Sequence, residues 1–582
     1  MSVLLIQPPH WLPTMPHLAL PTLTAHLRAY GIETEQLDLN IETFDTLLTQ
    51  PYLEGALARV RERPPRNVPP TAIARILAQA PQVIGRVEPA KDALRDSRFF
   101  DPRTSRQAFL TLVQGLELAS LPFHPAAVQF TTFTPPVPED SSAALLDVIA
   151  DSERNPFLTL FRDTFLPRIL ESQPDLIGIS IPTLGQMLGA MTLGYLIKEA
   201  DLRCHVTIGG PHVSMLRELL PRTPQLFDLF DSAVVFSGEG ALLRLAELVD
   251  SASVPQPDLS QIPNLIYRDK GIVRSTPLEA LPEPRPCERP NFGAPDFDGL
   301  PLHSYLSPSP VLPLLSSHGC YYGKCAFCNV GYGGPDRFHP LDPELVVEQM
   351  LFLHRKHGAR HFFFADEALT PRTLRILSDR LANVEPTLHW CGCARFDPGL
   401  TPDLLNHMSQ GGCRMLLFGL ETAAETTIER MHKHTQPATM SRILRDSVKA
   451  GIWNHTFFFF GFPGETMDAA QETVNFVYAH QDAIHSASPG AFLLERYAPA
   501  EREPEVYGIS RVMADPKRDL AIYFDYEVVT GLNEAMAERL VSLLVDVLPE
   551  KAFGQYYITD VYRLLYASNL WENGQPLPLW LA

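Results

Sequence analysis

The chain has 582 residues, too many for a single hydrophobic core, so several domains are expected. Hydrophobic residues make up 45% and charged residues 20%, which is typical of a globular enzyme and excludes a largely disordered chain. The formal net charge of −19, with Lys and Arg scattered along the sequence, argues against nucleic acid as a partner.

The sequence predicts a cytoplasmic protein without a membrane segment. The first residues, MSVLLIQPPHW, lack the basic region of a secretory signal. The longest apolar run, FFFFGF from Phe457, is far shorter than the ~18 residues of a membrane helix. Eight unevenly spaced cysteines do not resemble a disulfide framework, and in a reducing compartment clustered thiols more often bind metal.

Strands and helices alternate in the first 250 residues. Strands are predicted at VLLIQPP, IETEQLDLN, DLIGISIPT, CHVTIGGPH and AVVFSG, with helices between them, one of which is closed by Gly31. This order is typical of a doubly wound (Rossmann-like) parallel sheet, which binds ligands at the carboxyl ends of its strands. A helical insertion at about residues 45–170 is either padding for the sheet or a lid or substrate-docking surface.

A proline-rich linker is predicted at residues 251–311, and a second alternating series follows it. Its first helix has Asp342 as N-cap, Pro343 in the first turn and Gly358 as terminator. Thr-Pro pairs at 370–371 and 401–402 predict two further helix starts. Six strand–helix units within residues 312–498 indicate a partial or complete parallel β/α barrel, and residues 499–582 a small C-terminal domain.

Cys320, Cys325 and Cys328 lie in one loop, SSHGCYYGKCAFCNVGYGG, after the first strand of the second series. Three thiolates can hold three irons of a 4Fe–4S cluster and leave the fourth iron open, whereas fully ligated clusters use four cysteines. Zinc held by the same cysteines and His318 is the alternative. Only Gly319 separates His318 from Cys320, which is closer than the usual spacing of zinc ligands and favours the cluster.

The loop and four later segments resemble the radical S-adenosylmethionine (SAM) enzymes. The loop has the spacing C-x4-C-x2-C, whereas C-x3-C-x2-C is the commonest in that family. FADEALTP, CGCARF, FGLETAAETTIERMHK and FFFFGFPGET follow in family order at predicted strand ends. The resemblance implies a cluster on the three cysteines and SAM contacts at Phe327, Asp366, Glu367, Arg395, Gly419, Glu421, Gly461 and Pro463. Considered singly, Glu421 could instead cap a helix, and Asp366 and Glu367 could form an ordinary acidic loop.

The first 250 residues resemble the cobalamin-binding domain that precedes the barrel in one radical SAM subclass. The matching segments are LLIQPPHW, DLN, DLIGISIPT, IGGPHVS and FSGEGALL. The resemblance implies cobalamin contacts at Gln7, Pro8, Ser180, Thr183, Gly209, Gly210, His212, Gly238, Glu239 and Gly240. No G-x-G-x-x-G follows the first strand, which argues against a dinucleotide; a plain nucleotide or no ligand remains the alternative. Asp-x-His-x-x-Gly is also absent, so His212 is expected to contact the ring rather than cobalt.

Together these resemblances imply a cobalamin-dependent radical SAM methyltransferase. Its cofactors would be a 4Fe–4S cluster, SAM and cobalamin, and it would methylate an unactivated carbon of a natural product or peptide. The expected partners are that small-molecule or peptide substrate and an external electron donor of flavodoxin or ferredoxin type. Two alternatives stay open: an oxidative cyclisation or rearrangement with the same cofactors, and a cobalamin-responsive binding protein with a structural cluster.

Overall fold

The computed structural model describes residues 1–250, 258–279, 293–334, 338–547 and 559–578, and the chain divides into two compact units. The first unit comprises Met1–Pro310 with Asp515–Ala521, and the second Val311–Ala514 with Ile522–Ala582. The predicted linker therefore falls in the first unit, although its residues 251–257 and 280–292 lie outside the described ranges. Within those ranges, no helix combines the length and the apolar character needed to span a bilayer.

A seven-stranded sheet forms the centre of the first unit. The strands of this unit are β1 (Ser2–Gln7), β2 (Glu33–Asp38), β3 (Ala127–Val128), β4 (Phe133–Thr134), β5 (Leu176–Ser180), β6 (His205–Gly209), β7 (Ser232–Val234), β8 (Leu265–Asp269) and β9 (Ile272–Ser275). The sheet order is β2-β1-β5-β6-β7-β8-β9, and the first five of these strands are parallel, as the alternation predicts. The antiparallel edge of β8 and β9 comes from the predicted linker and is a finding that the sequence did not suggest.

Helices cover this sheet and form most of the insertion. They are α1 (Ala19–Ala29), α2 (Leu39–Leu47), α3 (Gln50–Glu62), α4 (Pro70–Arg95), α5 (Pro102–Ser120), α6 (Ser142–Val148), α7 (Leu158–Leu160), α8 (Leu166–Ser172), α9 (Met187–Glu199), α10 (Pro211–Met215) and α11 (Gly238–Asp250). Apolar residues of α1 and α11 pack with β1 in one buried cluster, which includes Val3, Leu27 and Leu245. The predicted insertion folds as α3 to α8 and a short hairpin of β3 and β4, with α2 entering it.

Six parallel strands form the main sheet of the second unit. The strands of the unit are β10 (Val311–Leu314), β11 (Ser317–Gly319), β12 (Phe338–Pro340), β13 (His361–Phe364), β14 (His389–Ala394), β15 (Cys413–Glu421), β16 (Trp453–Phe460), β17 (Ser486–Ala491), β18 (Leu494–Glu495), β19 (Ile509–Met513) and β20 (Tyr523–Val528). The main sheet runs β10-β13-β14-β15-β16-β17. Because β10 and β17 are not paired in it, the predicted barrel is partial.

Helices alternate with these strands. They are α12 (Pro343–His357), α13 (Pro371–Leu381), α14 (Pro402–Gln410), α15 (Glu425–Arg430), α16 (Pro437–Lys449), α17 (Met467–Ala479), α18 (Pro499–Arg502), α19 (Pro504–Tyr507), α20 (Glu534–Val547) and α21 (Asp560–Glu572). Asp342, Thr370 and Thr401 accept hydrogen bonds from the first turns of α12, α13 and α14, as predicted.

One face of the six-stranded sheet holds α21 at its amino end and the cysteine loop at its carboxyl end. Ser568 of α21 is hydrogen-bonded to His361 Nε2 at 2.8 Å, at the start of β13. Along β14, His389, Cys391, Cys393 and Arg395 share this face because side chains alternate along a strand. Arg395 lies beside the cysteine loop, as described below. The carboxyl end of the face is therefore where a site can form.

Candidate functional site

Asp366, directly after β13, fixes the start of the cysteine loop. Its carboxylate accepts hydrogen bonds from the Ser316 N–H at 2.9 Å and from the Ser316 and Ser317 hydroxyls at 2.7 Å each. Asp366 is 2% exposed, and burial raises its pKa although these hydrogen bonds favour the ionised form. The contacts of Asp366 thus join two strand ends of the protein itself.

The three cysteines of the loop are half-buried neighbours. Burial raises the pKa of Cys328, and the charges of Glu367, Cys325, Glu495 and Cys320 raise it further. Among the described residues, no group of three or more His, Cys, Asp or Glu side chains is arranged to hold a single metal ion. In a 4Fe–4S cluster each cysteine binds a separate iron, and three thiols are the donor set of a cluster with one open iron.

Arg395 connects the cysteine loop to the end of β14. One guanidinium nitrogen lies 3.7 Å from Cys325 Sγ, and the other donates a hydrogen bond to the Lys433 carbonyl at 2.7 Å. The guanidinium carbon lies 3.6 Å from the centroid of the Tyr322 ring. Burial raises the pKa of Cys325, but the charges of Lys433 and Arg395 act in the opposite direction.

Glu421 forms an ion pair with Lys433 at the end of β15. The Lys433 Nζ lies 2.8 Å from Glu421 Oε1, and Lys433 is 5% exposed. The strand is irregular between Gly419 and Glu421, and Glu421 has a φ of +58°. A Cβ atom on Gly419 would lie 2.8 Å from Lys433 Nζ and would also collide with the Glu421 carboxylate. Glycine at 419 therefore leaves room for the ion pair in its present position, and a side chain there would displace the flexible ends of Glu421 and Lys433.

The remaining predicted SAM residues of the second unit are held by different neighbours. Phe327 packs edge-to-face on Phe459, with ring centroids 5.2 Å apart. The Gly461 N–H donates a hydrogen bond to Glu465 Oε2 at 2.6 Å, and the Pro463 carbonyl accepts one from Arg430 at 3.1 Å. Glu367 is exposed as a whole, yet partial burial of its carboxylate and the charge of Asp366 raise its pKa.

Sequence reasoning missed three residues that surround the loop. Lys433 ends a quoted motif and Tyr332 lies within the quoted cysteine loop, but neither received a site role, and Glu495 lies outside every quoted motif. Burial and the charge of Glu367 raise the pKa of Glu495 to about 7. Burial followed by the charges of Glu367 and Glu495 raises the pKa of Tyr332. The four-residue apolar run before Glu495 predicted only a strand, so no sequence signal pointed to its carboxylate.

The predicted cobalamin residues lie at the carboxyl edge of the sheet in the first unit, and they differ in accessibility. Gln7, Ser180 and His212 are buried, at 1%, 7% and 2% exposure, and so is Pro8. Among the described residues, the Gln7 amide and His212 Nε2 have no hydrogen-bond partner, and burial lowers the pKa of His212 to about 4. The accessible residues of the set are Thr183, Gly209, Gly210, Gly238, Glu239 and Gly240.

This accessible edge suits a bulky flat ligand. A Cβ atom on Gly240 would meet no other atom within 4 Å, so the backbone there faces open space. Gly210 differs, because its φ is +114° and a Cβ atom would lie 2.8 Å from the Ile181 carbonyl oxygen. Glycine at 210 is therefore required by the packing of the sheet itself. A ligand at this edge would therefore meet the accessible residues of the set, whereas Gln7 and His212 lie beneath the surface.

Residues 314–477 match the family model of the radical SAM superfamily. The chain contains a radical SAM domain. An uncharacterized methyltransferase of Pyrococcus horikoshii is 29% identical over 336 residues, which are 56% of this chain and 70% of that protein. The anaerobic magnesium-protoporphyrin IX monomethyl ester cyclase of Cereibacter sphaeroides is 24% identical over 322 residues, covering 54% of this chain and 51% of the cyclase.

Two solved structures share the fold over nearly the whole chain. OxsB, a cobalamin-dependent SAM radical enzyme with aqua-cobalamin and SAM bound, superposes with a TM-score of 0.59 at 15% identity, over 99% of this chain and 75% of OxsB. TsrM, a radical SAM methyltransferase from Kitasatospora setae with cobalamin and a 4Fe–4S cluster bound, gives a TM-score of 0.57 at 16% identity, over 95% of this chain and 92% of TsrM.

These comparisons confirm the predicted fold class and the radical SAM prediction. The predicted enzyme class is likewise confirmed at the level of the relatives, two of which are methyltransferases. The radical SAM domain implies the predicted cluster and SAM, and OxsB and TsrM both contain cobalamin. The division into four domains and the individual site residues stay predictions.

Proposed function

We propose that this protein is a cobalamin-dependent radical SAM methyltransferase that methylates an unactivated carbon of a natural product or peptide. The observation that carries the proposal is the cysteine loop at the carboxyl end of the partial barrel. There, Asp366 holds Ser316 and Ser317 at the start of the loop, and Arg395 contacts Cys325. The accessible glycine edge of the first unit supports cobalamin as the second cofactor.

Different residues of the second unit would bind the cluster, bind SAM and exclude water. When bound, the cluster and SAM supply a 5′-deoxyadenosyl radical, and cobalamin supplies a methyl group. Cys320, Cys325 and Cys328 would hold three irons. Glu367 and Glu421 offer carboxylates, and the backbone of 461–463 offers a surface on which adenine can lie. Aromatic side chains, among them Phe327 and Phe459, would keep water away from a reactive carbon radical.

The first unit would bind cobalamin through its accessible edge. Thr183, Glu239 and the glycines at 209, 210, 238 and 240 would contact the corrinoid directly. Gln7, Pro8, Ser180 and His212 would shape the floor beneath it, because they are buried. A neutral His212 fits this indirect role.

Cluster reduction needs an electron from outside the active site. We assign this role to a flavodoxin- or ferredoxin-type protein, and the substrate is a small molecule or peptide. A reducing cytoplasm fits both this donor and the seven free cysteines among the described residues.

The decisive experiment uses SAM with a trideuterated methyl group. Anaerobically reconstituted protein is loaded with cobalamin and reduced with dithionite, and the products are read by mass spectrometry. We expect 5′-deoxyadenosine and trideuterated methylcobalamin, and the Cys325→Ala variant should form no 5′-deoxyadenosine. Iron-loaded protein that forms no 5′-deoxyadenosine, or that takes up no cobalamin, would overturn the proposal.

An oxidative cyclisation without methyl transfer is the second candidate function. The similarity to a cyclase over about half of each chain favours it. The same experiment separates the two candidates, because a cyclase would form 5′-deoxyadenosine without labelled methylcobalamin.

A further inference from the structure

Arg395 is held rigidly beside one of the three proposed cluster ligands. Its guanidinium stacks on the Tyr322 ring at 3.6 Å, donates to the Lys433 carbonyl at 2.7 Å and places a nitrogen 3.7 Å from Cys325 Sγ. The hydroxyl of Tyr322 donates in turn to the His432 carbonyl. An arginine with these three contacts has little freedom to turn away from the sulfur.

The positive charge of Arg395 is not neutralised by a carboxylate. Among the described residues, its guanidinium makes no hydrogen bond or ion pair with Asp or Glu, and its partners are a carbonyl and a thiol. The neighbouring Lys433 differs, because its ammonium is paired with Glu421 at 2.8 Å. The charge of Lys433 has the larger effect on the pKa of the Cys325 thiol, but Arg395 is the cation that places an N–H donor on the sulfur itself.

A hydrogen bond to a ligand sulfur changes the reduction potential of an iron–sulfur cluster. Reduction adds one electron to the cluster, and its negative charge increases. An N–H donor and a positive charge at Cys325 Sγ stabilise the more negative state.

We propose that Arg395 raises the reduction potential of the cluster through its contact with Cys325. This role is separate from the contact with SAM that the sequence predicts for the same residue. The inference rests on the proposed function in one respect, namely that a cluster binds to Cys320, Cys325 and Cys328.

The test measures the cluster potential in the absence of SAM, so that SAM binding does not contribute. Wild-type, Arg395→Gln and Arg395→Lys proteins are reconstituted anaerobically, matched for iron and sulfide, and titrated with dithionite and redox mediators. The reduced cluster is followed by electron paramagnetic resonance. At the potential that half-reduces the wild type, we expect the ratio of reduced to oxidised cluster in Arg395→Gln to fall about tenfold, or 59 mV. The reduction potential of Arg395→Lys should fall less than that of Arg395→Gln, since lysine keeps the charge but loses the planar contacts.

Two tyrosine variants provide a matched control. Tyr322→Phe keeps the ring under the guanidinium and should leave the potential unchanged. Tyr322→Leu removes the ring and should shift the potential in the direction of Arg395→Gln; it also serves as the test if Arg395→Gln fails to take up iron. A fully loaded Arg395→Gln protein with the wild-type potential would overturn the inference alone. A wild-type protein that binds no cluster would overturn both the inference and the proposed function.

Discussion

Gly419 makes room for two charged side chains that meet at the end of β15. Because a Cβ atom there would press on Glu421 and lie 2.8 Å from Lys433 Nζ, Gly419→Ala must separate the ion pair or shift the strand. Because both side-chain ends can move, we expect the variant to lose only about 0–1 kcal/mol of stability, the usual worth of such an ion pair, and to bind SAM more weakly. Thermal unfolding and equilibrium dialysis with SAM measure the two effects.

Gly85→Ala is the matched control for this substitution. Gly85 lies inside α4, and a Cβ atom there would meet no other atom within 4 Å. Alanine favours the helix over glycine by about 0.5–1 kcal/mol, so this variant should be slightly more stable. An equal loss of stability in Gly419→Ala and Gly85→Ala would contradict the steric explanation for Gly419.

Asp38 makes the stability of the first unit depend on pH. Its carboxylate accepts a hydrogen bond from the Tyr305 hydroxyl at 2.6 Å, and burial raises its pKa to about 6. The folded protein holds this proton more tightly than the unfolded chain does. The residue therefore does not lower the free energy of unfolding below about pH 4, and it lowers that free energy by its full amount above about pH 6. The cost reaches about 3 kcal/mol, because each pKa unit corresponds to about 1.4 kcal/mol.

Asp38→Asn should remove this dependence while keeping an oxygen that can accept from the Ile41 N–H, and its NH2 group can donate to the Tyr305 hydroxyl oxygen. We expect the stability of the variant relative to wild type to rise between pH 4 and pH 6 and to stay level above pH 7. Thermal midpoints of both proteins across this range measure the difference. A constant difference would show that the Asp38 carboxyl does not titrate in this window.

At the scale of elements, local chemistry made the helices and strands predictable. Asp342 and Gly358 mark both ends of α12, and Thr-Pro pairs mark two later helix starts, because caps act within a few residues of the chain. The linker prediction missed β8 and β9. Leu265 and Ile266 are buried in β8, which pairs antiparallel with β9. The proline-rich sequence around these two short strands led to the prediction of a linker.

The candidate site was predictable only in part, since some of its contacts join residues far apart in sequence. The cysteines and Arg395 carry motifs, whereas the hydrogen bonds of Asp366 to Ser316 and Ser317 span about fifty residues. Glu495 and Lys433 belong to the candidate site because of residues that lie near them in space, Glu367 and Glu421. No local pattern contains that information.

Asp366 should be essential for the order of the cysteine loop. In Asp366→Asn, one carboxylate oxygen becomes an NH2 group that faces the donors of Ser316 and Ser317. Leaving a buried donor unsatisfied costs about 1–3 kcal/mol, so we expect a less ordered loop and a several-fold lower iron content after reconstitution. Asp403→Asn is the control, because Asp403 pairs with Arg375 at the exposed surface and should change neither iron content nor stability measurably. Wild-type iron content in Asp366→Asn would contradict this role.

At the scale of the whole molecule, each of the two units has its own buried core. One apolar cluster contains Val3 and Leu245 in the first unit, and another contains Phe462 and Tyr526 in the second. Separate cores predict that damage to one cofactor site leaves the other intact. Cys325→Ala should therefore lose the brown iron–sulfur absorbance but take up cobalamin as the wild type does.

This prediction is checked by measuring iron, the visible spectrum and cobalamin uptake on the same anaerobic sample. Cys204→Ala, which changes a half-buried cysteine of the first unit, is the control and should retain both cofactors. If Cys325→Ala lost cobalamin as well as iron, the two units would depend on each other for folding or binding. A variant that kept the full cluster absorbance would instead remove Cys325 from the ligand set.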